Sequence, residues 1–376
     1  MSPLRVPVNE PVITAEAKRY VMQAMEEGWI SSAGPYVERF EQAFAKLLGV
    51  KHAVATMNGT VALHLALASL NVGKGDEVIV PTFTMIATVD AILYTGATPV
   101  FVDSDPDTFN IDVAQIERKI TKRTKVLLPV HIYGHSCDMD PILALAKKHN
   151  LFALEDAAEA HGATYKGRIC GSIGDINCFS FYGNKIITTG EGGMVVTNDD
   201  RLAARAHLLK DLAHSPKRRF WHEEIGYNYR MTSLQAALGL GQLEHIGDFL
   251  KTKQWMADAY AKGLKDIPGI RLPITKEYAK NVHWMYAILV EPVFPLSKDA
   301  LRSAFKEKGI DTRDFFYSIA SMPLVKDFVE PAERFPVAED LERRGLYLPS
   351  GLAITEEQIA YVCEMIREVV RSKATK

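Results

Sequence analysis

The sequence predicts an α/β protein in which helices cover a mainly parallel sheet. Short apolar runs recur through the first two thirds of the chain, and most are continuously apolar rather than alternating. This pattern is typical of strands that are buried on both faces. Helical segments lie between several of these runs, and such alternation favours α/β architecture. The last third changes in pattern and indicates a smaller α+β domain.

The apolar runs predict a seven-stranded sheet. Their ranges are 52–56, 77–81, 98–103, 125–134, 151–156, 176–181 and 193–198. Three segments between them predict helices, over 61–70, 112–120 and 140–150. Asp112 is a capping residue at the start of the second helix, and Pro141 lies in the first turn of the third.

The C-terminal third predicts a different set of elements. They are a long amphipathic helix over 251–267, a strand over 283–291, and helices over 297–309 and 355–372. We therefore expect a large α/β domain over residues 10–250 and a small α+β domain over residues 251–376, with a packed interface between them.

Composition excludes several classes of function. The chain has 376 residues, 44 of them basic and 46 acidic, and its net charge of −2 gives no support for binding nucleic acid or an anionic membrane. The N-terminus lacks the apolar core of a signal peptide, and no apolar run approaches the ~20 residues of a membrane helix. Four cysteines without a CxxC spacing indicate neither disulfides nor a zinc site. We expect a cytoplasmic protein that binds no metal.

Two short motifs lie at the carboxyl ends of predicted strands, which is where ligands of α/β proteins bind. Asn58-Gly59-Thr60 opens a helix, whose free N–H groups and positive dipole end favour an anion. The alternative is an ordinary capped turn. Glu155-Asp156 closes another strand and offers a carboxylate to a ligand. The alternative there is a surface or helix-capping acid.

Lys185 lies in the glycine-rich stretch FYGNKIITTGEGGMVV, between two predicted strands. A lysine amine with its ordinary pKa of about 10.4 is a poor nucleophile at neutral pH, unless its surroundings lower that pKa. Taken alone, a solvated loop lysine is the more common case. With Asp156, Ser180 and the Asn-Gly-Thr helix start, however, Lys185 fits pyridoxal 5'-phosphate. That cofactor needs a lysine for its aldehyde, an acid for its pyridine nitrogen and an anion site for its phosphate.

The sequence also resembles the DegT/DnrJ/EryC1/StrS family of pyridoxal-phosphate sugar aminotransferases over almost its full length. The motifs that carry the resemblance are GWISSAGPYVERFE, NGTVALHLAL, GDEVIVPTFT, PVHIYG, EDAAEAHGA, GDINCFSFYGNKIITTGEGGMVV and GYNYRMTSLQAALGLGQL. The resemblance implies fold type I and a homodimer whose active sites are shared between subunits.

The resemblance also implies roles for individual residues at the cofactor. Lys185 would bind it covalently, Asp156 would pair with the pyridine nitrogen, and Glu159 would lie beside the ring. The phosphate would be held by three further residues, Gly59, Thr60 and Ser180.

Three other residues are implied at the subunit boundary and the substrate. Asn228 would reach the phosphate of the partner subunit's cofactor, and Trp29 and Ser31 would lie near the sugar. The family's dehydratase branch has histidine at the position of Lys185, so the lysine indicates an aminotransferase.

The chain departs from the family pattern at several positions near the implied ligands. Met85 stands where an aromatic residue usually stacks on the cofactor ring. Ala320 stands where perosamine-forming members have histidine, and Asp314 replaces the usual proline. Arg313 remains as a candidate anion contact for the substrate.

The reaction that the resemblance implies is transfer of an amino group from L-glutamate to a nucleotide-linked 4-keto-6-deoxy sugar. The first choice is conversion of GDP-4-keto-6-deoxymannose to GDP-perosamine, a precursor of surface polysaccharide such as the O-antigen of lipopolysaccharide. The alternative is a related 3- or 4-aminotransferase for a UDP- or dTDP-linked sugar. A non-catalytic regulator that binds the cofactor is a remote alternative, and the presence of Lys185 and Asp156 argues against it.

Overall fold

The computed structural model describes residues 4–374, apart from Pro216 and Arg219. Its strands are β1 (His52–Thr56), β2 (Glu77–Pro81), β3 (Thr98–Val102), β4 (Thr124–Leu127), β5 (Phe152–Asp156), β6 (Thr164–Tyr165), β7 (Arg168–Ile169), β8 (Ile176–Ser180), β9 (Gly193–Thr197), β10 (Ile270–Arg271), β11 (Ala279–Lys280), β12 (Tyr286–Val290), β13 (Arg313–Asp314) and β14 (Gly345–Leu348).

The α-helices surround these strands. They are α1 (Ala15–Glu26), α2 (Pro35–Leu48), α3 (Gly59–Ser69), α4 (Ile86–Tyr94), α5 (Val113–Ile116), α6 (Met139–His149), α7 (Asp200–Lys210), α8 (Ser233–Leu243), α9 (Ile246–Leu264), α10 (Lys298–Glu307), α11 (Pro336–Arg344) and α12 (Glu356–Ala374). None of the described helices combines the length and the apolar character that crossing a bilayer requires.

The large sheet confirms the predicted architecture. Its order is β1-β9-β8-β5-β4-β2-β3, and the strands from β8 to β3 are parallel to one another. Only β9 breaks the pattern, because it pairs antiparallel with both β1 and β8. Strands β2, β8 and β9 are buried along their whole length, as expected for a sheet with both faces covered.

The predicted strands all occur, but some boundaries differ. The run over 125–134 is a strand only as far as Leu127, and the chain then forms a 3-10 turn in which Tyr133 has φ 53°. Asp112 does cap α5, but that helix is only four residues long and continues as a 3-10 turn over Glu117–Lys119. The first deviation lies just after β4, where local periodicity says little about chain direction.

A second sheet, β10-β12-β14-β13, forms the centre of the C-terminal region and is antiparallel throughout. The helix predicted from residue 251 begins at Ile246, so α9 runs unbroken across the predicted domain boundary. The N-terminal segment also reaches this region, because Val6 pairs with Ile310 and belongs to the same apolar core as Tyr260. The division at residue 250 stays a prediction.

A buried carboxylate links the large sheet to the C-terminal region. Asp103 directly follows β3, and its two oxygens accept hydrogen bonds from Val337 N at 3.0 Å and Ala338 N at 2.9 Å. Both N–H groups lie in the first turn of α11, which has no cap from its own preceding residue. Asp103 thus satisfies helix donors and places a negative charge at the positive end of the helix dipole.

We expect Asp103→Ala to lower the free energy of unfolding by about 2–3 kcal/mol, because it leaves buried helix donors without a partner. Asp112→Ala is the matched control, because Asp112 caps only the short helix α5. Loss of this cap should lower the free energy of unfolding by about 1 kcal/mol. Urea unfolding of both variants measures the difference. Equal midpoints for the two variants would contradict the assigned role of Asp103.

Candidate active site

A cavity of about 570 Å³ opens at the carboxyl ends of the parallel strands. Seven of the predicted cofactor residues line it: Gly59, Thr60, Met85, Asp156, Glu159, Ser180 and Lys185. They come from strand ends and helix starts that are far apart in the sequence. The topology of the sheet brings them together, because parallel strands all end at the same edge.

Strand alternation separates the two acids that close β5. Successive side chains of a strand point to opposite faces. Asp156 lines the cavity, where its Oδ2 accepts a hydrogen bond from Thr88 Oγ1 at 2.8 Å and its Oδ1 accepts one from Ala158 N at 3.1 Å. Burial raises the pKa of Asp156, and these two donors partly oppose that effect.

Glu155 points away from the cavity and has a structural role. Its carboxylate accepts hydrogen bonds from the backbone N–H groups of Gly171, Ile173 and Gly174 at 2.6–2.8 Å, and from His131 Nε2 at 2.9 Å. Because His131 Nδ1 accepts from Cys137 N, the imidazole proton is on Nε2. Burial favours the neutral acid, but His131 and the backbone donors outweigh it and lower the pKa of Glu155.

Lys185 is almost enclosed, with a side chain that is 11% exposed. Its Nζ lies 3.8 Å from Glu159 Oε1 and 3.8 Å from the centroid of the Trp284 ring. Burial lowers the pKa of Lys185, whereas Glu159 and Asp156 raise it. The amine is therefore closer to neutral than a solvated lysine, which is the condition that a nucleophilic or basic lysine needs.

Burial shifts the pKa of Glu159 in the opposite direction to that of Lys185. Burial raises the pKa of Glu159 to about 7, although Lys185 and the backbone N–H of Tyr133 lower it. Tyr133 N donates to Glu159 Oε2 at 2.7 Å, which leaves Oε1 as the oxygen that faces the lysine. The site thus places Glu159 and Lys185 side by side, and each of the two groups shifts the pKa of the other.

The N-terminus of α3 forms an anion cradle at the other end of the cavity. Asn58 caps the helix by accepting a hydrogen bond from Val61 N at 3.0 Å. A Cβ at Gly59 would lie 2.7 Å from the Cβ of Ser180, so only glycine permits this approach of helix and strand. The hydroxyl groups of Thr60 and Ser180 and the free helix N–H groups converge there, which fits the phosphate of the predicted cofactor.

The C-terminal region supplies a wall of the cavity that the sequence did not predict. Trp284, Phe316 and Tyr347 line the cavity opposite the large sheet. Trp284 lies at the edge of the strand predicted over 283–291, where a large aromatic residue is indistinguishable from a core residue. Phe316 and Tyr347 lie outside every predicted element. Thr88, the partner of Asp156, was also missed, because nothing in the sequence relates it to a strand end 68 residues away.

Four predicted site residues lie outside this cavity. Asn228 accepts a hydrogen bond from the Arg230 guanidinium at 2.8 Å, and Trp29 packs against Gly34. Ser31 uses its carbonyl oxygen to accept from Ser233 N at 2.6 Å. Arg313 lies in β13, at the edge of the small sheet. Within one described chain, none of these four lines the same cavity as Lys185.

Known proteins resemble this chain over nearly its whole length. The GDP-perosamine synthase of Escherichia coli O157:H7 is 47% identical over 368 residues, covering 98% of this chain and 99% of the relative. The GDP-perosamine synthase of Caulobacter vibrioides is 44% identical, covering 97% and 98%. Among solved structures, DesV of S. venezuelae in complex with a ketimine intermediate superposes with a TM-score of 0.91 at 37% identity, covering 97% of this chain and 98% of DesV.

The family model for DegT/DnrJ/EryC1/StrS aminotransferases matches residues 11–367. This match includes every cavity residue described above, and it confirms the enzyme class that the motifs predicted. The chain belongs to the DegT/DnrJ/EryC1/StrS aminotransferase family.

Proposed function

We propose that this protein is a pyridoxal-phosphate-dependent aminotransferase that moves an amino group from L-glutamate to GDP-4-keto-6-deoxymannose and forms GDP-perosamine. The observation that carries the proposal is the single cavity in which Lys185, Asp156 and the α3 anion cradle meet. The identities of 47% and 44% to two GDP-perosamine synthases favour the GDP-linked sugar over the UDP- and dTDP-linked alternatives. The scattered, unpaired cysteines fit the cytoplasm that we propose as its location.

The residues of the cavity fit each part of the cofactor. Lys185 would hold its aldehyde carbon, Asp156 its pyridine nitrogen, and the N-terminus of α3 with Thr60 and Ser180 its phosphate. When bound, pyridoxal phosphate supplies an electron sink for the electrons released at the carbon that carries the amino group.

Asp156 is suited to stabilise a positive charge. It is buried, and its orientation is fixed by Thr88 Oγ1 and Ala158 N. A buried carboxylate is stable as an ion when a cation lies beside it. A protonated ring nitrogen would provide that cation, and Asp156 would in turn keep the ring nitrogen protonated.

Lys185 would act as the base and then the acid of the reaction. Its lowered pKa makes the neutral amine accessible, so Nζ can accept the proton from the Cα of L-glutamate. In the second half-reaction the same nitrogen removes and donates protons in the reverse sense, as the keto carbon of the sugar receives the amino group. Trp284 and Glu159 lie against Nζ, and the side chain of Lys185 is only 11% exposed.

We also propose that the active enzyme is a homodimer that shares its sites between subunits. Asn228 lies outside the cavity of its own chain, and the described surface exposes large apolar side chains near it, among them Trp221 at 48% and Ile225 at 83%. Exposed apolar groups of this size favour a protein interface. A second copy of the chain is the occupant that would bring Asn228 to a complete site.

The proposed function is tested by following the visible absorbance of the protein loaded with pyridoxal phosphate. L-glutamate should abolish the band, and GDP-4-keto-6-deoxymannose should restore it. In Lys185→Ala the glutamate step should slow by about 10²–10⁴-fold, because the proton-carrying amine is gone. Return of the band with a UDP- or dTDP-linked keto-sugar, but not with the GDP-linked one, would refute the sugar assignment.

Glu159 should control the titration of Lys185. In Glu159→Gln the negative charge that raises the pKa of Lys185 is lost, so the pKa of Lys185 should fall further below its ordinary value. The rate at which cofactor-free protein captures pyridoxal phosphate, measured against pH, should then reach half-maximum at lower pH than in the unmodified protein. Glu191→Gln is the control, because Glu191 also lines the cavity but does not contribute to the pKa of Lys185. An unchanged midpoint in Glu159→Gln would show that the two groups are not coupled.

Site sharing is tested by mixing two inactive variants, Lys185→Ala and Asn228→Ala. If Asn228 serves the partner's cofactor, each mixed dimer contains one intact site, and about half of the activity per mixed dimer should return. If both residues serve the same site, the mixture should stay inactive. Size-exclusion chromatography of each variant alone checks that the dimer itself is preserved.

A further inference from the structure

The indole ring of Trp284 lies directly against the amine of Lys185. The ring centroid is 3.8 Å from Lys185 Nζ, and Trp284 is only 4% exposed. A protonated amine over the face of an aromatic ring is attracted by the electrons of that face, most strongly when the ring is tryptophan. The attraction is larger where water is excluded, as it is around this buried pair.

The ring is anchored to the residue next to Lys185. Trp284 Nε1 donates a hydrogen bond to the carbonyl oxygen of Asn184 at 2.8 Å, and Asn184 directly precedes Lys185 in the chain. This hydrogen bond fixes the ring relative to the backbone from which the lysine side chain extends. The distance between ring and amine is therefore set locally, although Trp284 is 99 residues from Lys185 in a chain of 376.

The backbone of Trp284 is held by separate contacts. Its carbonyl oxygen accepts a hydrogen bond from the buried Lys253 Nζ at 2.9 Å. Its nitrogen packs on Gly134, where a Cβ would come within 3.0 Å of it. His283, the residue before Trp284, has φ 47°, a left-handed conformation that is costly for a residue other than glycine. Such strain persists only where the surrounding contacts enforce it, and here those contacts place the ring over the amine.

The charged groups around Lys185 favour the same form of the amine as the ring does. Glu159 Oε1 lies 3.8 Å from Nζ, and Asp156 is the second carboxylate that favours the cation. His161 also interacts with Lys185, but burial lowers the pKa of His161 to about 3, so the imidazole is neutral near neutral pH. The amine thus lies between a carboxylate and an aromatic face, and both stabilise its protonated form.

We propose that Trp284 is a catalytic residue whose ring holds the protonated amine of Lys185 between the removal of a proton and its delivery. This inference rests on the proposed function, in which Nζ takes a proton from the Cα of L-glutamate and later donates it. As the Cα–H bond breaks, its electrons pass to the electron sink of the cofactor, and a new N–H bond makes Nζ a cation. Glu159 could accept that proton, whereas the ring has no acceptor for it. The ring therefore stabilises the cation without removing the proton that Nζ has to deliver.

Two substitutions separate the contributions of the ring. Trp284→Phe keeps an aromatic face and loses the Nε1 hydrogen bond, whereas Trp284→Leu loses both. In Trp284→Leu the glutamate half-reaction, followed in a single turnover, should slow by about two- to thirtyfold, the range that corresponds to loss of a cation–π contact. Trp284→Phe should recover most of this loss. Trp255→Leu is the matched control, because Trp255 lies on α9, is 40% exposed and does not line the cavity.

Cofactor-free protein gives a second readout that does not depend on turnover. In protein labelled with ¹³C-lysine, the Cε protons of Lys185 should resonate upfield, because they lie near the face of the ring, and their signal is assigned by its absence from Lys185→Ala. The pKa of Lys185 read from this signal should be lower in Trp284→Leu than in the unmodified protein, because leucine does not attract the cation. Glu159, whose pKa is about 7, is present in both proteins, so the difference between them reports the ring.

Either an unchanged titration or an unchanged glutamate rate in Trp284→Leu would overturn the proposal. Equal losses in Trp284→Phe and Trp284→Leu would also overturn it, because the effect would then belong to the Nε1 hydrogen bond. Urea unfolding checks that the variants are folded, and Trp284→Met, which fills the space without an aromatic face, replaces Trp284→Leu if that variant does not fold. Failure of the unmodified protein to react with L-glutamate would instead refute the proposed function, and the titration would still test the contact between ring and amine.

Discussion

The geometry of the active site depends on the hydrogen bonds that the buried carboxylate of Glu155 accepts. Four donors hold it, three from the segment over 171–174 and one from His131. A buried charge is tolerable only when it is satisfied in this way, so the strand end has a single stable position. Because strand side chains alternate, fixing Glu155 on one face also fixes Asp156 on the other, where it lines the cavity. The position of the residue proposed to act on the cofactor thus follows from a neighbour that never touches it.

Much of this arrangement was predictable because its signals are local. Continuous apolar runs indicated the seven strands, and the polar residues that follow them indicated the edge where ligands bind. The strand pattern alone did not distinguish Glu155 from Asp156, since both are buried, and the role of Asp156 was implied by the family resemblance. Trp284, Phe316 and Tyr347 were missed because they reach the cavity from a separate sheet, and no local pattern encodes that contact. The start of α9 was placed five residues late, because only Glu244 and His245 separate it from α8 and because Gly247 in its first turn weakens the helical signal.

The C-terminal region reaches the surroundings of Lys185 through packing. The buried amine of Lys253, on α9, donates to the carbonyl oxygens of Trp284, at 2.9 Å, and of Ser350. Burial lowers the pKa of Lys253 to about 7, but the two carbonyl groups give its protons acceptors. This contact fixes the backbone of Trp284, whose ring lies over Lys185 Nζ. The electrostatic surroundings of Lys185 therefore depend on how α9 packs against the small sheet, even though α9 is remote from the cavity.

Of the three departures from the family pattern, Met85 lines the cofactor cavity, whereas Ala320 and Asp314 lie outside it. Met85 is half exposed at the start of α4 and lines the cavity with a flexible thioether. The backbone at Ala320 is held in position without a histidine side chain, because the N–H of Ala320 donates to the buried Thr82 Oγ1 at 3.0 Å. Asp314 forms an ion pair with Arg302 and so reduces the positive charge on the surface of the C-terminal region. None of these three contributes to the pKa of Lys185, which depends on burial and on Glu159 and Asp156. The three departures therefore leave the electrostatic surroundings of Lys185 unchanged.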